Sequence, residues 1–279
     1  MSLSKNILIT GGARGIGRGL ARHLLSSGHR VFLLDNNASE LHHTATVHLP
    51  PFASRPNQLS HSLCDLRNPS DIAAAIAEAK RFFAPEKLDV LINNAGISNP
   101  FWSDGKDMAD PSFDVTQWDD FLSTNLTAPF LMSRGCIPLL RRDQESPEDG
   151  DRAERWGSIV NISSSRAHQS EPNTEGYAAA KSGLVGLTHS MAVSLSKYRV
   201  TVNAILPGWI DVSMENRKAD EEGWRDETSV EHREWHLSGR VGRAEDVART
   251  VEWVMATSFV NGQEVLVDGG VGRKMMYPE

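Results

Sequence analysis

The sequence predicts a doubly wound α/β fold, a parallel sheet with helices on both faces in three α/β/α layers. Three observations carry this expectation. Short apolar runs alternate along the chain with longer stretches of helical period. The first two runs enclose a glycine cluster and a helical pattern within about 30 residues, the size of a βαβ unit. No internal repeat or low-complexity linker interrupts the 279 residues, which read as one domain, 1–279.

In chain order, residues 6–10 (Asn-Ile-Leu-Ile-Thr) form the first strand. They are followed by Gly-Gly-Ala-Arg-Gly-Ile-Gly and a helix through Leu20, Leu24 and Leu25 that stops near Gly28. A second strand over 31–34 closes on Asp35. Further strands are expected near 59–64, 89–92, 158–162, 201–206 and 264–267, and helices over 70–83, 117–140, 177–196 and 244–256. The stretch 36–56, rich in His and Pro, has no readable period, and His42, His43, His48 and His61 read as loop residues. Residues 143–155 are polar throughout and read as a surface insertion. The span 212–240, charge-dense with Trp224 and Trp235 interspersed, reads as a substrate lid.

Composition narrows the partners. Against 29 Lys+Arg stand 36 Asp+Glu, a net charge of −7, which argues against a dedicated nucleic-acid or anionic-membrane partner. The acidity is concentrated: 143–155 hold six acids and two bases, and 213–236 hold eight acids and four bases. By contrast the first 34 residues carry Lys5, Arg14, Arg18, Arg22 and Arg30 and no acid. Such a segment superficially resembles a transit peptide, but its glycines break any amphipathic helix there. Two cysteines, Cys64 and Cys136, are too few for a disulfide framework and suit a reducing compartment, so a cytoplasmic protein is expected. No apolar run approaches the roughly 18 residues of a membrane span.

Gly11, Gly15 and Gly17 follow the first strand and allow a tight turn with close backbone approach to a pyrophosphate. The helix behind them aims its free N–H groups and positive dipole end at that anion. The spacing is not G-x-G-x-x-G, so the glycines alone are a weak signal. Asp35, at the end of the second strand, strengthens it: a carboxylate there accepts hydrogen bonds from an adenosine ribose diol and repels a 2′-phosphate. Arg14 could pair with such a phosphate, but Asp35 stands where the phosphate would go and Asn36 adds no positive charge. NAD is therefore expected over NADP.

Tyr177 and Lys181 lie four apart in Tyr-Ala-Ala-Ala-Lys, on one face of a helix that the alanines favour. A phenol of ordinary pKa near 10 is a poor base at neutral pH, and a nearby ammonium favours the phenolate. A shift of about 2 to 3 units needs roughly 3 to 4 kcal/mol. Upstream, Gly157-Ser-Ile-Val-Asn-Ile-Ser-Ser-Ser165 is a strand ending in hydroxyls, where ligands of open parallel sheets bind. A serine there can donate to a substrate oxygen that gains charge.

With these residues the chain resembles the short-chain dehydrogenase/reductase superfamily in its single-domain form, a Rossmann fold, over essentially its whole length. The ordered motifs are Thr10-Gly11 with Gly15 and Gly17, Cys64-Asp65-Leu66, Asn93-Asn94-Ala95-Gly96, Asn125, Ser164, Tyr177 with Lys181, Pro207-Gly208 and Val267-Asp268-Gly269-Gly270. The resemblance implies that Tyr177 is the acid/base and that Lys181 holds the nicotinamide ribose and lowers the tyrosine pKa. Ser164, thirteen residues before Tyr177, would hold the substrate oxygen, and Asn125 a water linking Lys181 to solvent. Ile16 belongs to the expected pyrophosphate loop. Asp65 and Leu66 would meet the adenine, and Asn93, Ala95 and Gly96 would line the cofactor floor. Pro207, Gly208 and Ile210 would lie along the nicotinamide, which exchanges hydride with the substrate carbon.

The implied reaction is hydride transfer between NAD(H) and a secondary alcohol/ketone pair, with a small-molecule substrate. The rivals are an NADPH-preferring carbonyl reductase and a nucleotide-sensing protein without the chemistry. An enoyl reductase is disfavoured by the close Tyr–Lys spacing. The resemblance also implies a homodimer or homotetramer packed through the helices that carry Asn125 and Tyr177. One departure bears on the site: Val212 stands where a threonine is usual, leaving Ser213 as the available hydroxyl. Arg166 is placed either to meet an anionic or polar substrate or to form a surface salt bridge. His232 and His236, four apart, lack a third ligand and read as lid residues, so no metal is expected.

Overall fold

The computed structural model describes residues 4–112, 115–142, 156–226 and 228–274. The expected insertion 143–155 lies outside them. The chain runs β1 (Asn6–Thr10), α1 (Gly15–Ser26), β2 (Arg30–Asp35), α2 (Ala38–His43), β3 (Leu59–Leu63), α3 (Pro69–Phe83) and β4 (Val90–Asn93). It continues through α4 (Thr116–Leu122), α5 (Ala128–Leu140), β5 (Gly157–Ile162), α6 (Glu175–Leu195), β6 (Val200–Pro207) and β7 (Ile210–Asp211). The last elements are α7 (Arg217–Glu222), α8 (Val230–Glu234), β8 (Gly242–Arg243), α9 (Ala244–Ala256) and β9 (Glu264–Val267).

Seven strands form one parallel sheet in the order β3-β2-β1-β4-β5-β6-β9. Side chains alternate across each strand, so β1 sends Ile7 and Ile9 to one face and Leu8 to the other. The first pair joins Leu20, Leu24, Val247 and Val251 of α1 and α9. Leu8 joins Ala75, Ala79, Met132, Cys136 and Leu195 of α3, α5 and α6. Both faces are thus covered, which is why β1, β4, β5 and β6 are buried along their whole length. Strand order reverses between β1 and β4, which pair Ile9 with Ile92, and ligands of such sheets bind beyond the carboxyl ends at that point.

The structure departs from expectation in three places. The helix expected over 117–140 is broken by a π-turn, Ser123–Thr127, in which the Ala128 N–H reaches back to the Ser123 carbonyl. Pro129 explains it: a proline has no N–H to give the carbonyl four residues earlier, that of Asn125. Second, 36–56 is not loop. Asn37 caps α2 by accepting from Glu40 N–H, and a π-turn (Thr44–His48) and a 3₁₀ turn (Pro50–Phe52) follow. Leu41 and Leu49 anchor this stretch in the core, and each helical piece is too short to show a period. His42 and His43 therefore lie in α2, His48 in the π-turn and His61 in β3.

Third, the base of the expected lid is bolted to α1 by buried charge. Arg18 is fully buried; its Nε donates to Glu215 at 3.0 Å and its two terminal nitrogens to Asp220 at 2.8 Å each. Glu215 is 1% exposed and also meets Arg22 at 2.6 Å. His43 and His48 close on Asp220 at 2.9 and 3.3 Å. The bases of the first 34 residues are thus partly consumed inside the fold.

Candidate active site

Backbone geometry builds the first part of the site. A Cβ on Gly17 would stand 2.0 Å from the Gly11 carbonyl oxygen, so only glycine lets α1 start this close to the turn. Gly15 has φ +60° and open space on its Cβ side. Asn94 braces the turn by donating to the carbonyls of Thr10 and Gly11 at 3.1 and 3.0 Å, while Thr10 Oγ1 accepts from the N–H groups of Asn94 and Ala95. The Gly15 N–H donates to the Glu215 carbonyl at 2.8 Å, and the Ile16 N–H has no acceptor among the described residues. A free N–H at a helix start, beside a cradle without side chains, fits a dinucleotide pyrophosphate.

Asp35 sits at the end of β2, one oxygen accepting from Ala13 N–H and the other from Asn37 N–H, both at 3.0 Å. Each oxygen keeps a lone pair for a ribose hydroxyl. Arg14 and Asn36 are exposed beside it, and the Arg14 guanidinium has no ion-pair partner among the described residues.

Beyond the ends of β4 and β5 the remaining candidates converge. Asn125 is fully buried; its Oδ1 accepts from Ile97 N–H at 2.8 Å and its Nδ2 donates to the Ile97 carbonyl at 3.2 Å. A Cβ on Gly96 would lie 2.9 Å from Asn125 Oδ1 and 3.7 Å from Lys181 Nζ, so these groups face one small space. Lys181 Nζ donates to the Ile162 carbonyl at 2.9 Å and lies 5.6 Å from the Tyr177 ring centroid. The Tyr177 ring stands edge-on to Phe121 at 6.1 Å, and Phe121 packs on Trp102.

Burial sets the electrostatics of the pair. It pushes the Tyr177 phenol above its ordinary pKa, opposed by a hydrogen bond with Ser164 and by the Arg166 charge. Burial alone brings the Lys181 ammonium down to about 8. This has a stability consequence. Below about pH 8 Lys181 is charged in both the folded and unfolded chain and its burial cost is fully present. Between about 8 and the ordinary 10.5 the unfolded chain holds the proton and the folded one has released it, so stability rises with pH. Lys181→Met should therefore be more stable than the parent at pH 7, and its advantage should shrink from pH 8 to 10.5, read by urea unfolding.

Other expected contacts are redistributed. The Asn93 amide nitrogen donates to Asn161 of β5 at 2.8 Å and to Ser133 of α5 at 3.0 Å, while its Oδ1 is buried with no partner among the described residues. Leu66 and Ile210 are 9% exposed and pack into the core clusters. Asp65 pairs with Arg67 at 2.9 Å, which holds its carboxyl below the usual range. Gly208 N–H donates to the Val267 carbonyl at 2.9 Å, fixing the end of β6. The Ser213 hydroxyl donates to Asp211 at 2.7 Å and accepts from Trp224, which leaves it one lone pair. Sequence reasoning missed the aromatic group over the end of β6, where Trp209 meets His232 at 4.4 Å and Trp235 at 5.8 Å. The nearby His236 is 4% exposed, and its Nε2 has no partner among the described residues.

A family model described as Enoyl-(Acyl carrier protein) reductase, from the short-chain dehydrogenase/reductase group, matches residues 11–272. The chain belongs to the short-chain dehydrogenase/reductase family. An uncharacterized oxidoreductase of Thermotoga maritima is 32% identical over 99% of this chain and 98% of its own. The D-beta-hydroxybutyrate dehydrogenase of Rhizobium meliloti is 32% identical over 75% of this chain and 72% of its own. Among solved structures, levodione reductase matches with TM-score 0.76 and 27% identity, covering 99% of this chain and all (100%) of that one. The protein is thus a Rossmann-fold oxidoreductase of a family acting on alcohol and ketone substrates. No helix among the described residues is long and apolar enough to cross a membrane.

Proposed function

We propose that the chain is one NAD(H)-dependent domain, 1–279, interconverting a secondary alcohol and its ketone, with Tyr177 as the acid/base. The observation that carries this reading is the meeting of Asn125, Ser164, Tyr177 and Lys181 at one mouth of the sheet, with Asp35 fixed at the end of a neighbouring strand. When bound, the nicotinamide supplies or accepts the hydride. Everything else falls to the chain. The Ile16 N–H and the glycine turn hold the pyrophosphate, Asp35 the adenosine ribose, and Lys181 the second ribose. Ser164 holds the substrate oxygen while the Tyr177 oxygen takes its proton during oxidation, or returns it during reduction. The Asn125 carbonyl, which Pro129 leaves without its ordinary helical donor, orients water toward Lys181 and so carries that proton to solvent.

The span 212–240 serves as the lid in this reading. Exposed Phe130 on α5 and Val193 on α6 support a homodimer or homotetramer. The two buried, unpaired cysteines support a cytoplasmic site. A second reading, preference for NADPH, is favoured by Arg14 and by the likeness to 3-oxoacyl-[acyl-carrier-protein] reductases.

Titration with both reduced cofactors, together with turnover on a panel of secondary alcohols and ketones, tests the reading. NADH should bind at least ten-fold tighter than NADPH, and Asp35→Ser should narrow that ratio. NADPH binding as tightly as NADH would remove the role given to Asp35. Cofactor binding with no turnover on any panel member would instead favour a nucleotide-sensing protein.

A further inference from the structure

One charged group in the mouth of the site has no use in the proton chemistry. Arg166 lies in the 3₁₀ turn Ser165–Ala167, and its backbone N–H donates to Ser164 Oγ at 3.2 Å. The same short turn therefore carries the hydroxyl that faces Tyr177 and the stem of the guanidinium. Its Nη2 pairs with Glu171, and the guanidinium carbon lies 5.6 Å from the centroid of Phe101, which comes from the loop after β4. The other terminal nitrogen, Nη1, is buried and has no hydrogen-bond partner among the described residues. A buried cationic donor left without an acceptor is rare in native proteins unless a ligand supplies the acceptor. Arg166 also acts electrostatically on the Tyr177 phenol, which places its charge within range of the reacting oxygen.

We propose that Arg166 Nη1 receives a carboxylate of the substrate, so that the alcohol or ketone handled here is a hydroxy acid or keto acid. The inference rests on the dehydrogenase reading above. A monoanion is preferred to a phosphate because Glu171 already offsets much of the guanidinium charge, and a single free nitrogen cannot satisfy a dianion. The guanidinium carbon stands over the Phe101 ring, which leaves the Nη1 edge for an acceptor, and a carboxylate matches that planar fork. Arg166 would in this way choose the substrate, and its separation from Tyr177 would choose how far the acid group stands from the reacting carbon.

The test is a calorimetric titration of the protein saturated with NAD⁺, or with NADP⁺ if that binds better. The probes are pyruvate, acetoacetate and 4-oxopentanoate, each against its methyl ester. The oxidised cofactor cannot reduce a ketone, so the mixture stays unreacted and binding is read without turnover. At least one acid should bind about 10- to 100-fold tighter than its ester, the range expected for a hydrogen bond to a charged group. Arg166→Gln should bring that ratio close to one, and Arg166→Lys should keep part of it. If no acid outbinds its ester, or if the preference survives Arg166→Gln, the assignment is overturned. A failure of turnover in the alcohol panel would sink the dehydrogenase reading, whereas this titration speaks only to Arg166.

Discussion

Tyr177→Phe should lower kcat by about 10²- to 10⁴-fold, the range that positioned proton transfer contributes, while cofactor affinity stays within about two-fold. The substitution removes one hydroxyl and keeps the ring that packs edge-on against Phe121, so the helix and the neighbouring Lys181 have no reason to move. Ser164 loses its partner on Tyr177 but still accepts from Arg166 N–H. The loss should therefore appear in the chemical step and not in the melting temperature. Single-turnover hydride transfer, followed by nicotinamide absorbance, separates the two. Unchanged turnover on the alcohol and ketone panel would remove Tyr177 from the mechanism.

Arg18→Met should cost about 3 kcal/mol of unfolding free energy, the lower end of what breaking a buried ion pair costs. Arg18 is fully buried and Glu215 nearly so, and removing the guanidinium leaves a buried carboxylate with Arg22 as its remaining cation. Asp220 retains His43 and His48, which is why the lower end is expected. Replacing both members, Arg18→Met with Glu215→Leu, should recover much of the loss, because the desolvation cost of both charges disappears together. Urea unfolding of the two single variants and the double variant reads this directly. A single-variant loss below about 1 kcal/mol would mean that the network contributes no more than a surface pair. The Gly15 N–H donates to the carbonyl of this same Glu215, so Arg18→Met should also weaken cofactor binding.

The site was legible where function depends on residues close in sequence. Tyr177 and Lys181 share a helix face because four residues make about one turn, and the glycine turn is readable because strand, turn and helix follow one another directly. The break of the helix around Asn125 was also written locally, in Pro129 four residues later, although the apolar pattern alone suggests one continuous helix. The short helices of 36–56 escaped because a six-residue helix and a five-residue π-turn show no period; their place is fixed by Leu41 and Leu49.

By itself the sequence determined the order of the main strands and long helices, the glycine turn, Asp35 at the end of its strand, and the Tyr177–Lys181 pair. Backbone geometry and side-chain period act over a few residues and leave their mark in spacing. The tertiary structure alone decided which charges are spent and which are free. Arg18 reads like Arg14 or Arg166, but it meets Glu215 across 197 residues and Asp220 across 202, whereas Arg14 has no ion-pair partner among the described residues and Arg166 keeps one buried nitrogen open. Desolvation likewise moves the Tyr177 phenol up and the Lys181 ammonium down, a shift no spacing shows, because burial is a property of the packed fold and not of any neighbouring residues.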